Sequence, residues 1–447
     1  NCSDADAKAR PTFRVPRACG TNNPFHSLTC PPAFGTIWVC YFKRSNTMIP
    51  TILPSYARAP LSFAKGEGSW LIEDDGRRFL DLGAGIAVNS LGHAHPTLVA
   101  VVQEQATKLW HTSNLYNIPN QQALADKLVE HTFADTVFFA NSGTEAVECM
   151  IKMARKYQSY IGQPERTKII TFDDSFHGRT IAALSAARNT AMTDGFGPML
   201  EGFAKVPRND LAAVEAEIDG QTAAILVEPV QGEGGINVAD DTFLKGLRAL
   251  CDDNGLLLLM DEVQCGNGRT GRLYAHEWSG VTPDIMATAK GLGGGFPIGA
   301  CLATERAASG MGPGSHGSTF GGNPLACAVA CAVIDTITAP GFLDEVNRKA
   351  GLFRQKLEGL VASHPDVFAA VRGQGLMLGL VCKVPVMDLV NAGYDAQVLS
   401  VPASNNVLRL IPPLTISENE ITQGVARLDK AASAAALQIP SSAKEQP

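Results

Sequence analysis

The sequence predicts an α/β protein, with a large domain on a mostly parallel sheet and a smaller α+β domain after it. Three observations lead there. Six short runs are almost continuously apolar, as strands covered on both faces are: TVFFA (136–140), KIITF (168–172), AAILV (223–227), LLLLM (256–260), DIMAT (284–288) and GACLA (299–303). Helical stretches lie between several of them, such as 143–160 and 240–254, and that alternation marks a parallel sheet. After about residue 340 the pattern shifts to one long helix, short strands near 368–382 and 406–411, and a final helix from about 417.

A chain of 447 residues is long for one core and predicts two or three domains. Residues 1–47 stand apart, with four of the eleven cysteines, five prolines and six basic residues against two acidic ones. They read either as a basic, acid-poor targeting peptide or as sequence upstream of the folded protein. No amphipathic helix is evident there, so the expectation is a non-native or disordered extension, with ordinary composition opening at Met48. Next, SWLIEDDGRRFLDLGAG (69–85) predicts a β-hairpin turning at Asp75-Gly76, in a segment (48–95) expected to join the small domain. The large domain is expected over 96–335 and the small one over 336–447.

Composition narrows the function. A net charge of −7 offers no basic footprint for nucleic acid. No run of 18 apolar residues exists, so no membrane span is expected. Eleven cysteines without a C-x-x-C pair predict reduced thiols and a cytoplasmic enzyme.

Ligands of open α/β sheets gather at the carboxyl ends of the strands. TVFFA runs into Asn141, Ser142, Gly143 and Thr144 at a helix start, where free N–H groups and hydroxyls make an anion site. The plain alternative is helix capping. LLLLM runs into Asp261 and Glu262, and a carboxylate ending a buried strand needs a cation or a protonated nitrogen. No convergent metal ligands accompany them. His93 and His95 in HAHP lack a third partner, and Cys327 and Cys331 are expected as core residues. AAILV runs into Glu228 and Glu233, KIITF into Phe176, His177 and Arg179, and DIMAT into Lys290. P-loop and dinucleotide fingerprints are both missing, which argues against the alternative of a nucleotide-binding dehydrogenase. An anion cradle, an acid, a ring, an arginine and a lysine together suit pyridoxal 5'-phosphate, which needs a Schiff-base lysine and an acidic partner for its ring nitrogen.

NSGTEA, FHGRT, EPVQGEGG, DEVQCGNGRTG, AKGLGGGFPIGA, HGSTFGGNPLACA and RLIPPL, in this order from about 55 to 430, resemble the class III aminotransferases. GIAVNSLGHAHP (85–96) and LWHTSNLYNIPNQ (109–121) are similar to the acetylornithine branch of that family. The resemblance implies fold type I, that of aspartate aminotransferase, and a homodimer with shared sites. It implies that Lys290 carries pyridoxal 5'-phosphate, Asp261 pairs with the ring nitrogen and Gln264 meets the ring hydroxyl. Phe176 and Val263 would flank the ring, and Ser142, Gly143 and Thr144 would hold the phosphate. Thr319 would reach the neighbouring subunit's phosphate. Val147 departs from the family, which usually has Asn there.

The same resemblance implies transfer of the δ-amino group of N2-acetylornithine to 2-oxoglutarate in arginine biosynthesis. Arg179 would bind the carboxylate far from the reacting carbon. Arg409 would bind the near carboxylate of glutamate, with Glu233 covering it when acetylornithine is bound, and Ser318 would touch acetylornithine from across the dimer. A surface-strand arginine remains the alternative for Arg409. Succinylornithine, ornithine and 4-aminobutyrate are the rival donors, because the shared motifs do not separate them. The glycines after Lys290 are expected to let backbone pass close to the cofactor and the partner.

Overall fold

The protein is described by a computed structural model over residues 49–187 and 189–437. The expectations for residues 1–47 and Met48 lie outside the described residues. The chain divides after Ala59. Of the first unit, residues 49–59 are described and hold no helix or strand. All that follows concerns the second.

Its strands, in chain order, begin with Phe63–Glu67 (β1), Trp70–Glu73 (β2) and Arg78–Asp81 (β3). Thr136–Ala140 (β4), Lys168–Phe172 (β5), Phe203–Val206 (β6) and Thr222–Val227 (β7) come next. A short ribbon, Val230–Gln231 (β8) and Asn237–Val238 (β9), precedes Leu257–Asp261 (β10), Ile285–Thr288 (β11) and Gly299–Ala303 (β12). The last are Phe368–Gln374 (β13), Met377–Cys382 (β14), Val398–Leu399 (β15), Val401–Ala403 (β16) and Val407–Leu410 (β17).

The central sheet has seven strands in the order β4-β12-β11-β10-β7-β5-β6. All the expected apolar runs lie in it. They pair in parallel except β12, which is antiparallel to both neighbours. The link from Thr288 to Gly299 is shorter than the dozen or so residues a parallel crossover needs, so β12 has to turn back. The edge strand β6 has no apolar run; its FAKV sequence carries a lysine and escapes that criterion.

The helix Gly143–Tyr160 lays Ala146, Val147, Met150, Met153 and Ala154 against this sheet. Val147 is fully buried there, so an apolar residue suits the site. Asp241–Asn254 covers the other face with Phe243, Leu244 and Leu247 and stops at Gly255, whose φ of +64° ends the helix in the left-handed conformation.

The strands β13, β14, β17 and β16 form an antiparallel sheet in that order. The helix Phe342–Ser363 covers it, and Glu418–Ala436, which opens on a capping box of Ser417 and Glu420, packs beside that helix. The hairpin β2–β3 turns at Asp75-Gly76, and β3 pairs in parallel with β15. Glu420 accepts from Trp70 Nε1 at 2.8 Å and so ties the hairpin to the C-terminal helix as well. Among the described residues, no single helix is long and apolar enough to cross a membrane.

Candidate active site

The parallel strands β4, β5, β7, β10 and β11 end at one edge of the sheet. The antiparallel β12 starts there, with Gly299 opposite Ala140. Ser142 caps the helix Gly143–Tyr160, its Oγ accepting from Glu145 N at 3.4 Å. Glu145 in turn accepts from Asn141 N at 2.6 Å and from Asn141 Nδ2 at 2.8 Å. Capping is therefore real. It still leaves first-turn N–H groups at Gly143 and Thr144 with no intrahelical acceptor, which is what an anion needs. The walls around them are close. A Cβ on Gly143 would sit 2.5 Å from Val263 Cγ1, and one on Gly299 would sit 2.3 Å from Ser142 O. Thr144 Oγ1 lies 3.0 Å from Thr180 Oγ1.

Asp261, at the end of β10, is 4% exposed. One carboxylate oxygen accepts from Val263 N at 3.0 Å, and the other meets His177 Nδ1 at 2.8 Å. Burial alone would lower the pKa of His177, but the hydrogen bond and charge of Asp261, with Glu228 nearby, outweigh it and raise the value. Asp261 is thus paired with a buried imidazole. Glu262, the other acid of the pair, faces away: it accepts from Ala275 N, His276 N and His276 Nδ1 at 2.7 to 2.9 Å.

Glu228, at the end of β7, accepts from Phe176 N at 2.8 Å and from Gly232 N at 3.4 Å, tying two loops of the site together. Burial pushes its carboxyl up to about 7, with Asp261 adding to the rise and His177 opposing it. A carboxyl raised on folding binds its proton more tightly in the folded state. The stability it contributes is complete below about pH 4.3, where the unfolded group titrates, and is lost as pH rises through 7. Each pKa unit of difference is worth about 1.4 kcal/mol. Glu228→Gln removes that titration, so its thermal midpoint should fall less than wild type between pH 5 and 8. Parallel midpoint curves would contradict this account.

Lys290 follows β11 with a φ of +46°, a conformation uncommon for a side-chain-bearing residue. It is half-buried, and among the described residues its Nζ makes no hydrogen bond or ion pair. Burial pushes its pKa down; Glu233 works against that and Arg409 adds to it.

Arg409 is 1% exposed on β17, which rules out a surface arginine. Its Nη1 donates to Glu233 Oε1 at 2.7 Å and to Gln264 Oε1 at 2.9 Å. Gln264 therefore faces Arg409 in this structure. Phe176 is half-buried, and the exposed Arg179 guanidinium carbon lies 5.8 Å from its ring centroid. Ser318 and Thr319 belong to another wall. They line a cavity of about 520 Å³ with Asn141, Glu148, Lys152 and His316, and Lys290 is not among its residues. Asn141 Nδ2 donates to Ser318 Oγ at 3.1 Å.

The glycine stretch after Lys290 is approached by the chain itself. A Cβ on Gly294, at φ +55°, would lie 2.7 Å from Leu98 Cδ1 and 2.9 Å from Val333 Cγ2. The histidines of HAHP separate: His93 pairs with Asp81 at 2.8 Å. Among the described residues no group of His, Cys, Asp and Glu could hold a metal ion. Sequence reading gave no role to His177 or Glu228. Both stood in strand-end segments, yet only the fold pairs them with Asp261 and with Phe176.

This donor set fits a phosphorylated pyridine aldehyde. Unfilled N–H groups at a helix start suit the phosphate, an imidazole-backed carboxylate suits a protonated ring nitrogen, and an unpaired lysine amine suits the aldehyde. The chain is similar to known aminotransferases over most of its length. It is 63% identical over 385 residues to the acetylornithine aminotransferase of Rhodobacter capsulatus, covering 86% of this chain and 98% of that protein. The N-acetylornithine aminotransferase structure from Stenotrophomonas maltophilia matches with a TM-score of 0.75 at 39% identity, over 85% of this chain and 97% of that one. The ornithine aminotransferase structure from Toxoplasma gondii matches at 0.83 with 33% identity, over 87% and 94%. The Aminotransferase class-III family matches residues 52–432, from before the first hairpin into the last helix, and the chain is a member of that family.

Proposed function

We propose that the chain is a pyridoxal 5'-phosphate enzyme that moves the δ-amino group of N2-acetylornithine to 2-oxoglutarate, in arginine biosynthesis. The observation that carries this reading is the contact of the buried Arg409 with Glu233 at 2.7 Å. An arginine capped by glutamate no longer attracts a carboxylate next to the reacting carbon. A donor whose carboxylate lies at its far end then fits, and uncapping the arginine makes room for glutamate. The names of the relatives above supply the acetyl group.

Ser142, Gly143 and Thr144 would hold the phosphate, Phe176 and Val263 the two ring faces, and Gln264 the ring hydroxyl. When bound, the cofactor supplies an electron sink for the carbanion that deprotonation leaves. Asp261, oriented by His177, keeps a proton on the ring nitrogen. Lys290 Nζ serves as attachment point and then as general base, taking the proton from the substrate carbon that bears nitrogen. Its lowered pKa supports that role, because the neutral amine is the acceptor. Arg179, free of any carboxylate partner among the described residues, binds the far carboxylate of either substrate. Bidentate pairing suits both arginines.

The reading extends to a cytoplasmic homodimer. All seven cysteines among the described residues are free, in keeping with a reducing compartment. Leu109, Trp110, Leu115, Tyr116 and Phe320 expose large apolar side chains, and the His111 and Phe320 rings lie 5.0 Å apart. This apolar surface beside Ser318 and Thr319 supports a partner to which those two residues are presented.

The test is a panel of amine donors with 2-oxoglutarate. Acetylornithine should exceed ornithine and 4-aminobutyrate by at least about tenfold in kcat/KM, with succinylornithine as the near competitor. Equal use of ornithine or 4-aminobutyrate would overturn the substrate assignment.

A further inference from the structure

The loop after β10 carries a buried arginine that the reaction scheme does not use. Arg269 is 2% exposed and, among the described residues, has no carboxylate partner. Its Nη1 donates to Leu376 O at 3.2 Å and to Pro412 O at 2.5 Å. Its own carbonyl accepts from Leu376 N at 3.0 Å. Nη2 has no partner among the described residues. A guanidinium held by neutral carbonyls alone is costly to bury, and burial lowers its pKa to about 9. Simple space-filling would be met by an apolar side chain without that cost.

What Arg269 holds explains the expense. Leu376 immediately precedes β14, and Pro412 lies three residues beyond Arg409. β14 and β17 are antiparallel neighbours, with Gly379 opposite Arg409. Gln264, five residues before Arg269 in the same loop, accepts directly from Arg409 Nη1. One loop thus grips the Arg409 strand twice, once at the guanidinium and once at the backbone. The joint has no slack: a Cβ on Gly375, at φ +57°, would lie 2.3 Å from the Thr270 carbonyl carbon.

We propose that Arg269 is a positioning residue for substrate selection: it fixes the β14–β17 pair against the Asp261–Gln264 loop, so that Arg409 meets the near carboxylate of glutamate. This rests on the reading that Arg409 binds that carboxylate. Its chemistry is mechanical, with no bond made or broken. Acetylornithine, which does not use Arg409, is insensitive to the joint.

Arg269→Met and Arg269→Lys test it, each as the cofactor-loaded enzyme. The first readout is calorimetric affinity for glutarate, a five-carbon dicarboxylate with no amine to react. The second is the pair of half-reactions followed by cofactor absorbance. Glutarate affinity should fall about tenfold and KM for glutamate should rise with it, while the acetylornithine half-reaction stays within about twofold. Unchanged glutarate affinity, or equal losses in both halves, overturns the proposal. Failure of both variants to fold assigns Arg269 to folding and overturns it too. Arg409→Ala is the control: if it leaves glutarate binding intact, the reading of Arg409 fails, whatever Arg269 does.

Discussion

Lys290→Ala should abolish turnover, with a loss of at least about 10⁴-fold, and should erase the absorbance of lysine-bound cofactor. Lys290 stands at the end of β11 without a hydrogen bond or ion pair among the described residues, so truncating it orphans no partner. The strained backbone at φ +46° is the same for alanine as for lysine, so folding stability should change little from that cause. Thermal midpoint and cofactor content therefore serve as internal controls. The Asp261–His177 pair and the cradle at Ser142 remain, and the variant should still bind pyridoxal 5'-phosphate, now without a covalent link. A folded, cofactor-bound variant that turns over near the wild-type rate would remove Lys290 from the chemistry and with it the reason for the strained turn.

The fold was legible because the sheet is buried on both faces. Runs such as LLLLM and AAILV are apolar throughout, and that continuity is the physical record of two covered faces. β6 left no such record, being a short edge strand with a lysine. The reversal of β12 was also hidden, since an apolar run carries no direction; only the short link after Thr288 betrays it. In the site, residues adjacent to strand ends were visible as candidates, Asp261 and Lys290 above all. Long-range pairings were not. His177 and Asp261 are 84 residues apart, and Phe176 and Glu228 are 52 apart, so their hydrogen bonds depend on strand order. Arg269 shows the limit most clearly. GRTG reads as an ordinary turn, and the carbonyls it holds lie more than 100 residues away.

Arg409→Ala should separate the two half-reactions. The glutamate half should lose roughly 10- to 150-fold, the worth of a charge-assisted hydrogen-bonded pair to a carboxylate. The acetylornithine half should keep most of its rate. The geometry explains the asymmetry. In the structure Arg409 Nη1 is taken by Glu233 and Gln264, so a donor that arrives in this state meets a charge already neutralised by Glu233. Removing it releases Glu233, whose side chain is 27% exposed and can turn to water, and so avoids the larger penalty of a stranded buried charge. Glutamate instead needs Glu233 to leave and its own carboxylate to take the vacated donors. Its second carboxylate still has Arg179, and so KM should rise more than kcat falls. Arg179→Ala, by contrast, removes the contact common to both substrates. Single-turnover absorbance changes with each substrate alone separate these cases: equal losses in both halves for Arg409→Ala would break the two-arginine scheme, and would leave the Glu233 contact as a structural salt bridge.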